Sequence, residues 1–246
     1  MPFVRQVRSG HTNLHSPKSA VSSTDLARLL RSNIPATGFV DRLKIGFRPY
    51  ICPFDLLLPH IEPGESYYDI GCGSGMFLRI LAEYKSPTAV GGTEISAHLI
   101  ENASAVLKSC IVPLALSVYD GCDFPGEVAE YQWVFLIDVF HHVPRESQWA
   151  FLSRLFARLR PGQRLLLKDI DAATPLVYWN KLHDFVLSKE IGHEWSATAT
   201  ILELERIGFE VRMLFNKRVF LYPHFALLCT KPRGTTVETQ HSSDGA

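Results

Sequence analysis

Short apolar runs alternate with amphipathic stretches through the middle of the chain, and this alternation constrains the fold more than any other feature. Strands are predicted at residues 67–70, 88–94, 111–119, 133–138 and 164–170. Helices are predicted at residues 76–84, 97–108, 146–159 and 197–207. Near-continuous apolar strands separated by helices are typical of a parallel sheet that is covered on both faces. The sequence therefore predicts an α/β fold built on a doubly wound, mostly parallel sheet.

The last two predicted strands do not follow this alternation. They cover residues 209–215 and 219–230 and are separated only by Asn216, Lys217 and Arg218. Three residues are too few for a crossover helix, so the two strands are predicted to form an antiparallel hairpin at one edge of the sheet. The hairpin brings the predicted sheet to seven strands. The polar residues 232–246 are expected to form a disordered tail.

Residues 21–62 are predicted to form a helical cap beside the main domain at residues 63–231. Candidate helix caps at 22–25 precede Leu26, Leu29 and Leu30, and further short helices are predicted at 41–47 and 53–60, with prolines between them. Residues 1–20 are expected to be a disordered tail. The alternative is a mitochondrial targeting peptide, because this stretch is basic and contains no acid. Gly10 and Pro17 would interrupt its helix.

Composition excludes several classes of protein. The 246 residues are 46% hydrophobic and 20% charged, which is ordinary for a globular protein and unlike a disordered chain. The 25 basic residues balance the 25 acidic ones, so the chain has no global basic field and no clear nucleic-acid partner, although a local basic patch stays open. Its longest apolar runs are about five residues, far short of the roughly 20 that cross a bilayer.

Cysteine and histidine spacing predicts neither a disulfide framework nor a metal site. The five cysteines are an odd number without C-x-x-C spacing, so reduced thiols and a cytoplasmic location are expected. His183, Asp184 and His193 lie in a segment with aromatic residues, but their separations match no standard zinc spacing. We therefore predict no metal, and the sequence predicts no particular oligomeric state.

A glycine-rich turn is the most informative motif. Residues 69–75 read Asp-Ile-Gly-Cys-Gly-Ser-Gly and lie between the first predicted strand of the alternating region and its first helix. Such a turn lets a ligand approach backbone N–H groups at the start of a helix. The spacing G-x-G-x-G differs from the dinucleotide fingerprint G-x-G-x-x-G, because Met76 stands where the third glycine would be. No Walker loop is present either.

This turn resembles the first motif of the class I S-adenosylmethionine-dependent methyltransferases, and the resemblance extends in element order over about residues 62–231. It implies a Rossmann-like methyltransferase fold and S-adenosyl-L-methionine as cofactor. In that family an acid after the second strand holds the ribose hydroxyls, and Glu94 matches it. Asp120 matches the acid that accepts from the adenine amino group, although it could be only a turn residue. The cofactor-binding residues so implied are Asp69, Gly71, Cys72, Gly73, Gly75, Glu94, Ile95, Tyr119, Asp120 and Asp138.

The end of the fourth predicted strand suggests the kind of acceptor. Residues 138–144, Asp-Val-Phe-His-His-Val-Pro, are similar to the ending found in small-molecule and lipid methyltransferases of the family. They differ from the Pro-Pro turn of enzymes that methylate base amines. Asp138 could instead only cap the following turn.

Histidines and an aspartate at the predicted active edge are the candidate catalytic residues. His142, His141 and Asp169 follow the fourth strand or end the fifth, and an imidazole titrates near neutral pH. His142 is the first candidate for the general base. Asp169 would orient a hydroxyl or act as base, or it would cap the next segment. Candidate substrate-binding residues are Arg48, Tyr50, Tyr178 and His183, with Arg48 available to a carboxylate.

The predicted activity is methyl transfer from S-adenosylmethionine to a small apolar, aromatic or lipid-like acceptor, first at oxygen. Two alternatives stay open. One is a methyltransferase that acts on a macromolecule such as tRNA or a protein, and the other is a cofactor-binding subunit without catalysis of its own.

Overall fold

The computed structural model describes residues 21–33, 39–177 and 192–233, and the seven strands in these ranges form one sheet in the order β3-β2-β1-β4-β5-β7-β6. The strands are β1 (Ser66–Ile70), β2 (Ala89–Glu94), β3 (Leu114–Val118), β4 (Trp133–Ile137), β5 (Arg164–Ile170), β6 (Glu210–Val219) and β7 (Tyr222–Thr230). Strands β1 to β5 pair in parallel, and β7 pairs antiparallel to both β5 and β6. The predicted α/β class with its antiparallel hairpin is confirmed.

Helices cover the sheet on both sides. They are α1 (Ser23–Ser32), α2 (Phe39–Ile51), α3 (Phe54–Leu57), α4 (Met76–Tyr84), α5 (Ala97–Leu107), α6 (Gln148–Arg158) and α7 (Ala197–Ile207). Helices α1 to α5 contribute buried side chains to one core, and α6 and α7 contribute to the other. Alternate residues of the strands feed the two cores: Tyr67 of β1 enters the first and Tyr68 the second. The predicted helices of residues 21–62 therefore share a core with the sheet.

Local caps explain why two helices have the bounds that the sequence predicts. Helix α4 begins after Gly75, whose left-handed backbone starts the helix. The Ser196 hydroxyl accepts a hydrogen bond from the Ala199 N–H at 3.2 Å at the start of α7, and the left-handed Gly208 ends that helix. These signals are local, so the sequence alone marks where the chain enters and leaves each helix.

The hairpin turn lies elsewhere than predicted. Strand β6 continues through Asn216, Lys217 and Arg218 to Val219, and the turn is the two residues Phe220 and Leu221. The prediction was wrong because these polar residues pair as an exposed edge strand, with Lys217 opposite His224. Phe220 accordingly takes a positive φ of 54°.

Two further boundaries differ for physical reasons. Helix α2 runs through Pro49 to Ile51 rather than ending near 47, and Arg48, inside that last turn, is held by an ion pair to the sheet. Strand β3 begins at Leu114 rather than 111, because its pairing with β2 starts at Val90 and Ile111 is fully exposed.

The lengths of the helices and the state of the cysteines are two further features of the structure. No helix in the described ranges is long and apolar enough to cross a membrane. All five cysteines are free: Cys52, Cys72 and Cys229 are buried, Cys110 is half-buried and Cys122 is exposed.

Candidate functional site

The glycine turn lies at the carboxyl end of β1, where the strand order reverses between β1 and β4. Gly71, Gly73 and Gly75 have φ values of 71°, 52° and 72°, in the left-handed region that favours glycine. A Cβ atom on Gly71 would stand 2.5 Å from Val139, and one on Gly75 would stand 3.0 Å from Ala103. The turn therefore needs glycine for both conformation and space, and open sheets bind ligands in this crevice.

Glu94 joins the glycine turn to the end of β2. One carboxylate oxygen, Oε2, accepts from the Gly73 N–H at 3.1 Å. The other, Oε1, accepts from the N–H groups of Ile95 and Ser96 at 2.8 and 3.2 Å. The side chain is buried, so the carboxylate holds two neighbouring loops in fixed relation.

Asp69 is buried at the end of β1 beneath these loops. Its Oδ1 is enclosed by protein and has no hydrogen-bond partner among the described residues. Burial raises the pKa of this carboxyl well above its ordinary value, and the nearby Glu94 raises it further, while Arg48 opposes both. A cation placed beside Asp69 would relieve this cost. Cys72 is buried next to it and packs against Gly92.

The predicted adenine side of the site is open. Ile95 is exposed, and Tyr119 is half-buried with its backbone N–H donating to the Glu94 carbonyl at 3.1 Å. Burial, with Glu94 nearby, raises the pKa of the Tyr119 hydroxyl to about 12. Asp120 is exposed, and its Oδ1 accepts from the N–H groups of Cys122 and Asp123 at 2.8 and 2.9 Å. The turn role that the sequence left open for Asp120 is thus present, through one carboxylate oxygen.

Asp138 follows β4 and is held between two cations. Its carboxylate contacts Arg48 of α2 at 2.7 Å and the fully buried Lys168 of β5 at 2.5 Å. Burial alone would raise the pKa of Asp138, but Lys168 and Arg48 together outweigh burial and hold it well below its usual value. Its φ of 55° is left-handed. The expectation that Arg48 is available to a substrate carboxylate therefore needs correction, because Asp138 engages its guanidinium.

Lys168, Cys52 and His224 surround Asp138 and were missed as site residues by sequence reasoning. His224 of β7 is buried, and its Nε2 donates to the Ile51 carbonyl at 2.9 Å. Burial, then the charge of Lys168, lowers the pKa of His224 to about 3, and burial raises that of Cys52 to about 12. A usable signal existed: Lys168 and His224 interrupt apolar strands, where a charged or polar residue needs a partner.

His141 and Asp169 form a buried pair at the carboxyl ends of β4 and β5. The His141 ring nitrogen Nδ1 lies 2.5 Å from Oδ1 of Asp169, and the His141 backbone N–H donates to Oδ2 at 3.1 Å. Both side chains are less than 5% exposed. His142 is exposed, with its ring 4.1 Å from that of His141. The two adjacent histidines therefore have different environments, because the His141 side chain is buried and the His142 side chain is exposed.

Gln148 of α6 forms hydrogen bonds both to the turn that contains His141 and to the segment that begins at residue 192. Its Nε2 donates to the carbonyls of Phe140 and His193 at 2.9 and 2.8 Å, and its Oε1 accepts from Trp195 Nε1 at 2.6 Å. The His193 N–H donates to the His141 carbonyl at 2.8 Å. Sequence reasoning missed Gln148, because a lone glutamine at the start of a helix gives no signal.

The structure describes two of the four predicted substrate-binding residues, Arg48 and Tyr50. Tyr50 is half-buried near the end of α2, with its ring 6.4 Å from that of Phe47. Tyr178 and His183 lie outside the described residues.

The described residues fit S-adenosyl-L-methionine. Three left-handed glycines leave room beside backbone N–H groups, and Asp69 presents a buried oxygen that a cation would complete. The sulfonium and ammonium groups of this cofactor are cationic, and the glycine turn with Asp69 and Glu94 would hold it.

Comparisons with known proteins agree with this geometry. A family model described as a methyltransferase domain matches residues 45–214. A tRNA U34 carboxymethyltransferase of Pseudoalteromonas translucida is 31% identical over 168 residues, covering 64% of this chain and 49% of the relative. A protein-L-isoaspartate O-methyltransferase of Anaeromyxobacter dehalogenans is 27% identical over 168 residues, covering 64% of this chain and 76% of that one. The chain spans about half the length of the first of these relatives.

A solved structure shows the same fold. Magnesium protoporphyrin IX methyltransferase of Synechocystis PCC 6803, with bound SAH, aligns with a TM-score of 0.59 and 20% identity, covering 83% of this chain and 93% of that one. The family match extends over more than half of the chain and includes the glycine turn, Glu94 and the turn that follows β4. The chain therefore belongs to the class I S-adenosyl-L-methionine-dependent methyltransferases.

Proposed function

We propose that this protein transfers a methyl group from S-adenosyl-L-methionine to an oxygen of a small apolar, aromatic or lipid-like acceptor. The buried His141–Asp169 pair carries this proposal, because it places an oriented imidazole at the same edge of the sheet as the glycine turn. The five free thiols suit the cytoplasmic location that we include in the proposal.

The pair determines which nitrogen of His141 can act. A carboxylate only accepts hydrogen bonds, so Nδ1 of His141 keeps its proton and donates to Asp169, and Nε2 is the nitrogen that we propose as the proton acceptor. Asp169 also accepts from the backbone N–H groups of His141 and Ile170, which stops its carboxylate from turning. We therefore assign the base to His141, with Asp169 as its positioning residue, rather than to His142.

The proposed reaction is an in-line displacement. When bound, S-adenosyl-L-methionine would supply an electrophilic methyl group, and breaking its carbon–sulfur bond would leave a neutral thioether. Nε2 of His141 would take the proton of the acceptor hydroxyl, which makes that oxygen a better nucleophile. Asp69 and Glu94 fix the cofactor side, and Arg48 and Tyr50 border the acceptor side through α2.

The second candidate is a macromolecular acceptor. Two relatives favour it by their names, one acting on tRNA and one on protein isoaspartate. The balanced charge of the chain, 25 basic against 25 acidic residues, favours the small acceptor instead.

A transfer assay decides between the two candidates. The full chain is incubated with cofactor carrying a labelled methyl group and with separated lipid, small-molecule, RNA and protein fractions of a cell extract. Label in the apolar small-molecule or lipid fraction supports the proposal, and label only in RNA or protein supports the second candidate. Calorimetric binding of the cofactor without label in any fraction would contradict both and favour a non-catalytic subunit.

A further inference from the structure

The tip of the β6–β7 hairpin exposes two neighbouring apolar side chains. Phe220 is 73% exposed and Leu221 is 42% exposed. Large apolar side chains at a protruding turn add nothing to the core, and a contiguous apolar tip marks an interaction surface. The same turn was predicted to be polar from sequence, so its apolar character was not visible before the register of β6 was known.

The backbone at this tip is unfavourable for the residue that occupies it. Val219 pairs with Tyr222, so Phe220 and Leu221 form a two-residue loop, and Phe220 has a φ of 54°. Two-residue hairpin loops with a positive φ at the first position ordinarily carry glycine or asparagine there. An exposed phenylalanine at this position costs conformational energy without a packing gain, which points to a function of the side chain.

Cations flank the apolar tip. Lys217 and Arg218 are exposed just before it, and Arg212 lies further along β6. In the hairpin, residues 210–230, the one acidic residue is Glu210 at the end away from the tip, although the whole chain has a net charge of zero. The hairpin is therefore a local basic segment with an apolar end.

The hairpin tip lies at the same end of the sheet as the candidate site, where the carboxyl ends of the parallel strands lie. Strand β7 runs antiparallel to β5, and Ile170, the last residue of β5, pairs with His224. The residues before His224 therefore lie beyond the carboxyl end of β5. Asp169 and the turn after β4 lie at this same end of the sheet. Ile51 at the end of α2 packs in the same small cluster as Tyr222 and Ile170.

We propose that the β6–β7 hairpin tip is an interfacial docking element that inserts Phe220 and Leu221 into an anionic lipid surface. Lys217 and Arg218 would contact the lipid headgroups, and the active edge would face the membrane from which an apolar acceptor enters. Apolar residues beside cations are the combination that anchors a protein in the headgroup region. The inference deepens the proposed function by giving a source for a lipid-like acceptor, and it rests on that function only in this respect.

Vesicle sedimentation tests the docking element with the full chain. Vesicles of phosphatidylcholine alone are compared with vesicles that contain phosphatidylserine. We expect binding to the anionic vesicles that falls with added salt, and a loss of about tenfold or more in the F220N/L221S variant. The K217Q/R218Q variant should lose about fivefold or more on anionic vesicles.

A matched control is Ile111→Ser, because Ile111 is fully exposed and directly precedes the pairing region of β3. Strand β3 is the outer strand on the other side of the sheet from β6. It should bind vesicles like the unchanged protein. Phe220→Asn relieves the left-handed strain, so the thermal midpoint of F220N/L221S should not fall, and lost vesicle binding would not come from unfolding.

Three results would overturn the proposal. The first is equal sedimentation of the unchanged protein and F220N/L221S. The second is loss of binding to a single-stranded RNA oligonucleotide in that variant without any vesicle binding. The third is a dimer, seen by light scattering, that the variant converts to monomer. Calorimetric binding of S-adenosylmethionine is measured in parallel. Its absence contradicts the proposed function, whereas its presence without vesicle binding contradicts the docking element alone.

Discussion

The difference between His141 and His142 is a difference of environment between adjacent residues. His141 is buried and held by Asp169, whereas His142 is exposed beside it. Their order in the sequence suggests neither role, since both follow β4 within a short turn. The pairing with Asp169 joins residues 28 positions apart, so the sequence could name both histidines as candidates but could not show which one Asp169 holds.

The two histidines should respond differently to substitution. We expect His141→Gln to lower kcat about a hundredfold or more, because a positioned general base contributes about 10² to 10⁴ in rate. The pH dependence of kcat/KM should lose its acidic limb in this variant. His142→Gln is the matched control and should keep the limb and most of the turnover. A full rate in His141→Gln at neutral pH would contradict the assignment.

Asp69 should exchange a proton when the cofactor binds. Burial and Glu94 raise its pKa well above the ordinary value in the free protein, whereas a cationic ligand favours the carboxylate and lowers that pKa. Binding of S-adenosylmethionine should therefore release protons and tighten as pH rises through that pKa.

Calorimetry in buffers of different ionisation enthalpy measures this release. Asp69→Asn should abolish the release and weaken binding about tenfold to a hundredfold, as expected for loss of a charged hydrogen-bond partner. Glu101→Gln, an exposed change on α5, should alter neither quantity. Proton release that persists in Asp69→Asn would place the titrating group elsewhere.

At the scale of elements, the helices with local end signals and the presence of the hairpin were predictable, but the position of the hairpin turn was not. Helices α4 and α7 have the predicted bounds because glycine or serine marks their ends. The turn at Phe220 carries no glycine, proline or asparagine, so its position depends on the pairing of β6 with β7. The same limit hid Lys168, since its partner Asp138 lies just after β4 and Arg48 lies on a helix 90 residues before Asp138.

Gly75 should not tolerate a side chain, because its backbone is left-handed and Ala103 lies against it. Gly75→Ala forces a left-handed backbone on alanine and brings its Cβ within 3.1 Å of the Ala103 backbone. We expect the free energy of unfolding in urea to fall by about 2 kcal/mol. Gly126→Ala is the control, because no atom lies within 4 Å of its added Cβ and its φ is not left-handed. Equal stability of the two variants would contradict this reading of the turn.

The contact between Lys168 and Asp138 ties β5 to the end of β4. Lys168→Met removes one of the two cations that contact Asp138, so we expect a loss of about 3 kcal/mol in the free energy of unfolding, as for a broken buried pair. The double variant K168M/D138N removes the stranded charge and should lose less than Lys168→Met. Urea unfolding of the two variants checks the order, and a more stable single variant would contradict it.

At the scale of the whole molecule, His224 should make stability fall with acid. Its folded pKa of about 3 lies below the ordinary 6.5, so its contribution is present above about pH 6.5 and is lost as pH falls towards 3. The loss from one such group is at most about 1.4 kcal/mol per pH unit. The lowered pKa of Asp138 adds a loss only below about pH 3.8, and the raised pKa of Asp69 acts in the opposite direction.

Urea unfolding between pH 7.5 and 4.5 measures this dependence. The variant His224→Gln keeps a donor for the Ile51 carbonyl but does not titrate, so its stability should fall less steeply below pH 6.5 than that of the unchanged protein. Parallel pH curves for the two proteins would show that His224 does not contribute.

The unequal burial of the cysteines has a practical consequence for spectroscopy. Burial raises the pKa values of Cys52, Cys72 and Cys229, so these thiols react slowly with alkylating reagents near neutral pH. Cys122 is exposed, and its backbone N–H donates to Asp120 at the proposed adenine end of the site. A maleimide fluorophore would therefore attach mainly at Cys122, and its emission would report cofactor binding without an engineered label site.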